Sequence, residues 1–169
     1  MVPEICVPTS TVFIASTVPV LDIPAPEENK TPIVEASWQK ALKLKPQILY
    51  TEKTVRRISL GNFDEHLHRL ADVDWVIEAV VENLAIKQQL MARIESVIDR
   101  DAIVSTNTSG LPVSEIARDL PLSFRQRFLG THFFNPPRYL KLLELIPTED
   151  TDTDILLRLE WFGRLHLGK

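Results

Sequence analysis

One junction near the middle of the chain constrains its fold more than any other feature. Trp75-Val76-Ile77-Glu78-Ala79-Val80-Val81 is an almost unbroken apolar run of strand length, and in the segment that follows, residues 84–98, Ile86, Leu90, Ile94 and Ile98 recur every fourth position, joined by Val97. A strand that is apolar on both faces has to be covered on both, and an amphipathic helix directly after it supplies one cover. The alternation continues. Residues 102–106 read as a strand, and residues 112–120 as a short helix with Val113, Ile116, Ala117 and Leu120 on one face. Residues 128–134 and 140–146 read as two further strands. A last helix is expected to open at Thr151, with Asp154 as its capping-box partner and Ile155, Leu159 and Phe162 along one stripe. Strands separated by helices predict βαβ units, and hence an α/β, doubly wound, mainly parallel sheet.

The amino-terminal part is patterned differently. Pro3, Pro8, Pro19, Pro24 and Pro26 interrupt it, and helical periodicity is lacking. Thr11-Val12-Phe13-Ile14-Ala15 and residues 18–23 are β-rich, the second run ending around Asp22. Thr31-Pro32 offers a cap and a first-position proline for a helix carrying Val34, Trp38, Ala41 and Leu42. No internal repeat is present, so a single domain is expected over residues 1–150, with residues 151–169 as a terminal helix.

Composition closes several alternatives. A chain of 169 residues that is 44% apolar can bury a sizeable core. Nineteen Lys and Arg against twenty-three Asp and Glu, with no basic run, give nucleic acid or an anionic membrane little to hold. Cys6 is the only cysteine, which excludes an internal disulfide and a Cys-based zinc site. His66 and His68 are two apart, on different faces of the short helix expected there, so no metal is expected. No apolar stretch is long enough to span a membrane and the start, with Glu4, lacks a basic export signal, so a reducing, cytoplasmic location is expected. Glycine is the most telling count. There are five, and none precedes Gly61. A loop that lays its backbone against a pyrophosphate needs residues without a Cβ, and no such loop can be drawn in the first sixty residues.

In open parallel sheets ligands bind at the carboxyl ends of the strands, which singles out a few polar residues. Glu82 and Asn83 follow the first clear strand, and either plain capping by Asn83 or ligand binding would explain them. Lys87 lies one turn further on, where a solvated helix lysine is the ordinary reading. Asn107-Thr108-Ser109-Gly110 is a turn that can aim several donors at one atom, or an ordinary polar loop. His132 ends an apolar strand, and an imidazole needs a second group to fix its tautomer before it serves as a base. Glu144, alone among Leu142, Leu143, Leu145 and Ile146, is the available acid. A turn at Asn135-Pro136-Pro137-Arg138 would bring the two strands side by side; otherwise Glu144 faces water on an edge.

These residues also carry a resemblance. ADVDWVIEAVVENLAIKQQL, IVSTNTSGLPVSEIA and FLGTHFFNPPRYLKLLELIP, within residues 18–152, resemble the NAD-binding domain of the L-3-hydroxyacyl-CoA dehydrogenases, in particular bacterial long-chain forms of fatty-acid β-oxidation. The resemblance implies a Rossmann-type fold, NAD as cofactor, and oxidation of the 3-hydroxyl of an acyl-CoA. It matches His132 with the catalytic base, Glu144 with its orienting carboxylate, and Ser109 with a serine touching cofactor and substrate. It matches Asn135, Glu82, Lys87, Val80 and Val81 with cofactor neighbours, Asp22 with the acid that holds the adenosine ribose, and Ser37 with a CoA contact. The implied partners are the acyl-CoA and either a second copy or other β-oxidation subunits. Residues 1–17 read as unlike the family, so its first βα unit is expected to be missing or replaced, and the helix at 151–169 is expected to lead toward an absent helical substrate and dimerisation domain. A non-catalytic remnant or interaction protein of the same family is the alternative expectation.

Overall fold

The computed structural model describes residues 18–25, 32–45 and 51–169. The strand expected at Thr11-Val12-Phe13-Ile14-Ala15 and the cap expected at Thr31 lie outside the described residues. The chain divides into two compact units between Leu67 and His68, a boundary that the expectation of one domain over residues 1–150 did not include.

In the first unit β1 (Val18–Asp22) pairs in parallel with β2 (Ile58–Asn62), Asp22 lying opposite Asn62. β2 is absent from the sequence reading, because Ser59, Gly61 and Asn62 erase the apolar signal that marks a strand. Gly61 is there for close approach: a Cβ would stand 2.9 Å from His66 Cβ and from Leu21 Cδ2. α1 (Pro32–Leu42) packs on both strands and buries Val34, and the single turn α2 (Glu52–Val55) precedes β2. In place of the expected helix around His66, the buried Asn62 organises a turn. Its Oδ1 accepts from the amides of Asp64 and Glu65, and His66 Nδ1 accepts from the Asn62 amide. A 3-10 turn follows over Leu67–Asp72.

The second unit is a four-stranded sheet in the order β3 (Trp75–Glu78), β4 (Ile103–Thr106), β5 (Phe128–Phe133), β6 (Leu143–Pro147). The first three run parallel and β6 returns antiparallel to β5. The helices are α3 (Leu84–Glu95), α4 (Val113–Ile116), α5 (Leu122–Arg125) and α6 (Thr153–Phe162), which runs on into a π turn over Gly163–Leu167. Every residue of β4 is buried. Ile103, Leu129 and Leu159 form a core cluster that ties α6 to the sheet, and Phe124 of α5 stacks on Phe128 at 5.8 Å. Hydroxyls buried within the sheet are satisfied across strands: Trp75 Nε1 and Thr131 Oγ1 both donate to Ser105 Oγ, at 2.9 and 2.7 Å.

Several boundaries differ from expectation for identifiable reasons. β3 stops at Glu78 rather than Val81, since its partner β4 ends opposite it at Thr106. The inner face of α3 is Lys87, Leu90, Met91 and Ile94, while Ile86 is 44% exposed. A period of 3.6 puts Ile86 about 100° around the helix from Lys87. The helix expected over residues 112–120 is a single turn, with Val113, Ile116 and Ala117 buried as expected, and α5 follows Pro121. β6 begins at Leu143, because the amides of Tyr139 and Leu140 close a turn on the Pro136 carbonyl. The capping box at Thr151 does not form. Asp152 is the cap residue, without a side-chain bond, and Thr151 Oγ1 donates instead to the Phe128 carbonyl.

Candidate active site

The carboxyl ends of β3, β4 and β5 face the same edge of the second unit, and their turns are bonded into one another. β3 ends on Glu78, which is 3% exposed. Its Oε1 accepts from the Val80 amide at 2.6 Å and from Lys87 Nζ at 2.8 Å, and its Oε2 accepts from Thr106 Oγ1 at 2.6 Å. Lys87 is not the solvated lysine that its place in the helix suggests: it is 1% exposed, and Nζ also donates to the Val80 carbonyl at 3.3 Å and lies 3.4 Å from Glu82 Oε2. Asn83 caps α3, its Oδ1 accepting from the Ile86 amide at 3.1 Å, so the capping reading holds for this residue.

Glu82 stands above this buried pair with its side chain 42% exposed. Its Oε1 accepts from the Thr108 hydroxyl, from the Gly110 amide at 3.0 Å and from the Ser109 amide at 3.2 Å. The Thr108 hydroxyl, then the two backbone amides and the charge of Lys87, outweigh burial and hold the Glu82 carboxyl down to about 2 from its ordinary 4.5. The turn beyond β4 is thereby clamped to the turn beyond β3. Asn107 Oδ1 accepts from the Phe133 amide at 2.9 Å, which ties the same turn to the end of β5.

His132 and Glu144 lie directly opposite on β5 and β6. Nδ1 of the ring is 2.8 Å from Glu144 Oε2, with the side chains 22% and 49% exposed. Both earlier readings of Glu144 therefore apply together, because it sits on an edge strand facing water and it meets the imidazole. Phe134 leans on the ring at 4.6 Å between centroids. Ser109 is exposed on the β4 turn, Val80 is half-buried and Val81 is 63% exposed on the β3 turn, and Asn135 is exposed just after β5, before a cis bond to Pro136. In the first unit Asp22 closes β1, its Oδ1 accepting from the Ile23 amide at 2.8 Å, and Ser37 is exposed on α1. Glu78 and Thr106 were not singled out. The available signal was Glu78 itself, a lone carboxylate inside an apolar strand, the same signal that marked Glu144. Among the described residues no cluster of His, Cys, Asp or Glu could hold a metal ion.

A nicotinamide dinucleotide presents ribose hydroxyls, which need acceptors, and a pyrophosphate, which needs donors. The exposed, ionised Glu82 and the open turn at Gly110 suit the first; a Cβ on Gly110 would meet nothing nearer than Glu82 Oε1 at 3.7 Å. For the second, the sequence offers no glycine before Gly61.

Residues 9–169 match the family described as 3-hydroxyacyl-CoA dehydrogenase, NAD binding domain, a wider stretch than residues 18–152. A probable 3-hydroxyacyl-CoA dehydrogenase of Deinococcus radiodurans is 40% identical over 88% of this chain and 43% of its own length. A putative fatty acid oxidation complex trifunctional enzyme of Rickettsia felis is 39% identical over 88% of this chain and 21% of its own. The crystal structure of a (S)-3-hydroxybutyryl-CoA dehydrogenase from Ralstonia eutropha superposes with a TM-score of 0.68 at 27% identity, covering 90% of this chain and 53% of that one. The chain thus spans less than half the length of these curated relatives. It belongs to the 3-hydroxyacyl-CoA dehydrogenase family and carries that family's NAD-binding domain.

Proposed function

We propose that the chain serves the NAD-dependent oxidation of an L-3-hydroxyacyl-CoA to the 3-oxoacyl-CoA in fatty-acid β-oxidation, with His132 as the base and Glu144 as its orienting carboxylate. The carrying observation is the 2.8 Å contact between His132 Nδ1 and Glu144 Oε2. A carboxylate can only accept, so the ring hydrogen sits on Nδ1 and the lone pair is left on Nε2. Nε2 takes the proton of the substrate's 3-hydroxyl as the C3–H bond breaks with its electron pair. NAD, when bound, supplies the acceptor for that hydride. The imidazolium that forms is stabilised by the negative charge of Glu144 beside it. Ser109 presents its hydroxyl to the 3-oxygen, Asn135, Glu82 and the Val80-Val81 backbone line the cofactor, Lys87 supports that lining from beneath, Asp22 holds the adenosine ribose, and Ser37 contacts CoA.

The likeness to the Rickettsia felis putative fatty acid oxidation complex trifunctional enzyme supports the pathway, with other β-oxidation subunits or a second copy of the chain as partners. We place the reaction in the cytoplasm; no helix among the described residues is long and apolar enough to cross a membrane. The glycine-free first sixty residues favour a second reading, a non-catalytic remnant or interaction protein. NADH formation from 3-hydroxybutyryl-CoA and from a long-chain 3-hydroxyacyl-CoA, measured beside an NAD titration, separates the two. His132→Ala should lower turnover by about 100-fold or more while leaving NAD affinity in place, and unchanged turnover would refute the base. No NAD binding at millimolar cofactor leaves only the second reading.

A further inference from the structure

We propose that Glu78 is a positioning residue of the cofactor face, acting through Lys87 and the Val80 amide to fix the turn between β3 and α3. The inference rests on the reading that this face receives NAD. Glu78 is buried at the end of an apolar strand, where a carboxylate is tolerated only when its oxygens are filled by donors. They are filled from three directions, by the Val80 amide, Lys87 Nζ and the Thr106 hydroxyl. The consequence for Val80 is specific. Its amide is held by Glu78 and its carbonyl by Lys87, so the two side chains that grip each other also grip both of Val80's backbone polar groups. Lys87 then reaches Glu82, whose other oxygen gathers Thr108, Ser109 and Gly110. One buried carboxylate thus sets the place of both turns that meet the ligand.

Stability alone does not require this arrangement, because a buried ion pair can generally be replaced by apolar side chains of similar volume at little cost, whereas removing one partner strands the other. That asymmetry separates aiming from mere support. Three chains are compared: unaltered, Glu78→Gln, and the double variant Glu78→Leu with Lys87→Met. Each is read by melting temperature, by NAD titration in a calorimeter, and by amide hydrogen exchange at Val80, Ser109 and Gly110 in the NAD-free chain. Glu78→Gln should weaken NAD binding about tenfold, the worth of one charge-assisted hydrogen bond, and speed exchange at the three amides. Turnover at saturating NAD should change far less than the KM for NAD. The double variant should melt close to the unaltered chain yet keep the weakened binding and the fast exchange, and it decides the matter if Glu78→Gln does not fold. A double variant that melts normally and binds NAD as tightly as the unaltered chain would overturn the inference and leave Glu78 a structural residue. No NAD binding by the unaltered chain would overturn the functional reading and this inference with it; equal binding by all three chains would overturn this inference alone.

Discussion

Replacing Glu144 with glutamine removes a negative charge from beside His132 while keeping its size and an acceptor for the Nδ1 hydrogen. The two residues are direct cross-strand partners, with Nδ1 and Oε2 2.8 Å apart. In the proposed proton abstraction the ring would become an imidazolium whose charge centre lies roughly 4 Å from that of the carboxylate. At that separation the attraction is about 1 kcal/mol in bulk water and about 4 kcal/mol near a protein surface. With the His132 side chain 22% and that of Glu144 49% exposed, the pair falls between these limits. A value of about 2 kcal/mol corresponds to a rate factor of about 30.

The assay is the absorbance of NADH at saturating NAD and 3-hydroxyacyl-CoA, beside the dissociation constant for NAD. Glu144→Gln should lower kcat about 30-fold and leave NAD affinity unchanged, since the lost interaction exists only once the ring is charged. Glu144→Ala gives up orientation as well as charge and should lower kcat further. A kcat within about threefold of the unaltered chain, equivalent to under about 0.7 kcal/mol, would refute the charge argument. An equal loss in NAD affinity would show instead that Glu144 supports the cofactor.

Further consequences concern stability. The carboxyl of Glu82 is held at about 2 in the folded chain against 4.5 ordinarily; the folded state gains from its ionisation above the unfolded value and loses that gain as pH falls toward 2. Acid unfolding followed by tryptophan fluorescence should therefore be less steep over that window in Glu82→Gln. Gly130→Ala would place a Cβ 3.0 Å from both Ile146 Cβ and Val113 Cγ2, and denaturant unfolding should show a loss of about 1–3 kcal/mol. Asn83→Ala removes the bond to the Ile86 amide and should cost about 1 kcal/mol by the same measurement.

What could be read from the residues follows the strength of the apolar pattern. β3, β4 and β5 and the helix after β3 are legible because each is apolar enough to specify burial without help from its neighbours. β2 is not, since Ile58-Ser59-Leu60-Gly61-Asn62 owes its place to what surrounds it, the pairing with β1 and the space that only glycine leaves for His66. The start of α6 misleads for a related reason. Thr151 and Asp154 have capping-box spacing, but Phe128 offers Thr151 a carbonyl from across the fold, and a tertiary partner displaces the local one. Lys87 shows the same limit in the site, because spacing puts it on a helix but says nothing of the two carboxylates that bury it.

Glu78 and Glu144 carry one and the same signal, a single acid within an apolar strand, and the fold places them in opposite surroundings. Glu78 points to where α3 lays Lys87 over the end of β3, so three donors close on it and water is excluded. A carboxylate so fully engaged resists movement, which suits it to the proposed role of aiming other groups. Glu144 lies on β6, at the edge of the sheet, with half of its side chain in solvent and the His132 ring across from it. In the proposed reaction its charge would answer the ring's change from neutral to cationic without a rearrangement of the strands. The difference is set by the cover each strand receives, so an acid in an apolar strand is best read together with the helix that follows it. A lysine one turn into that helix points to a buried clamp, and a histidine on the paired strand points to proton transfer.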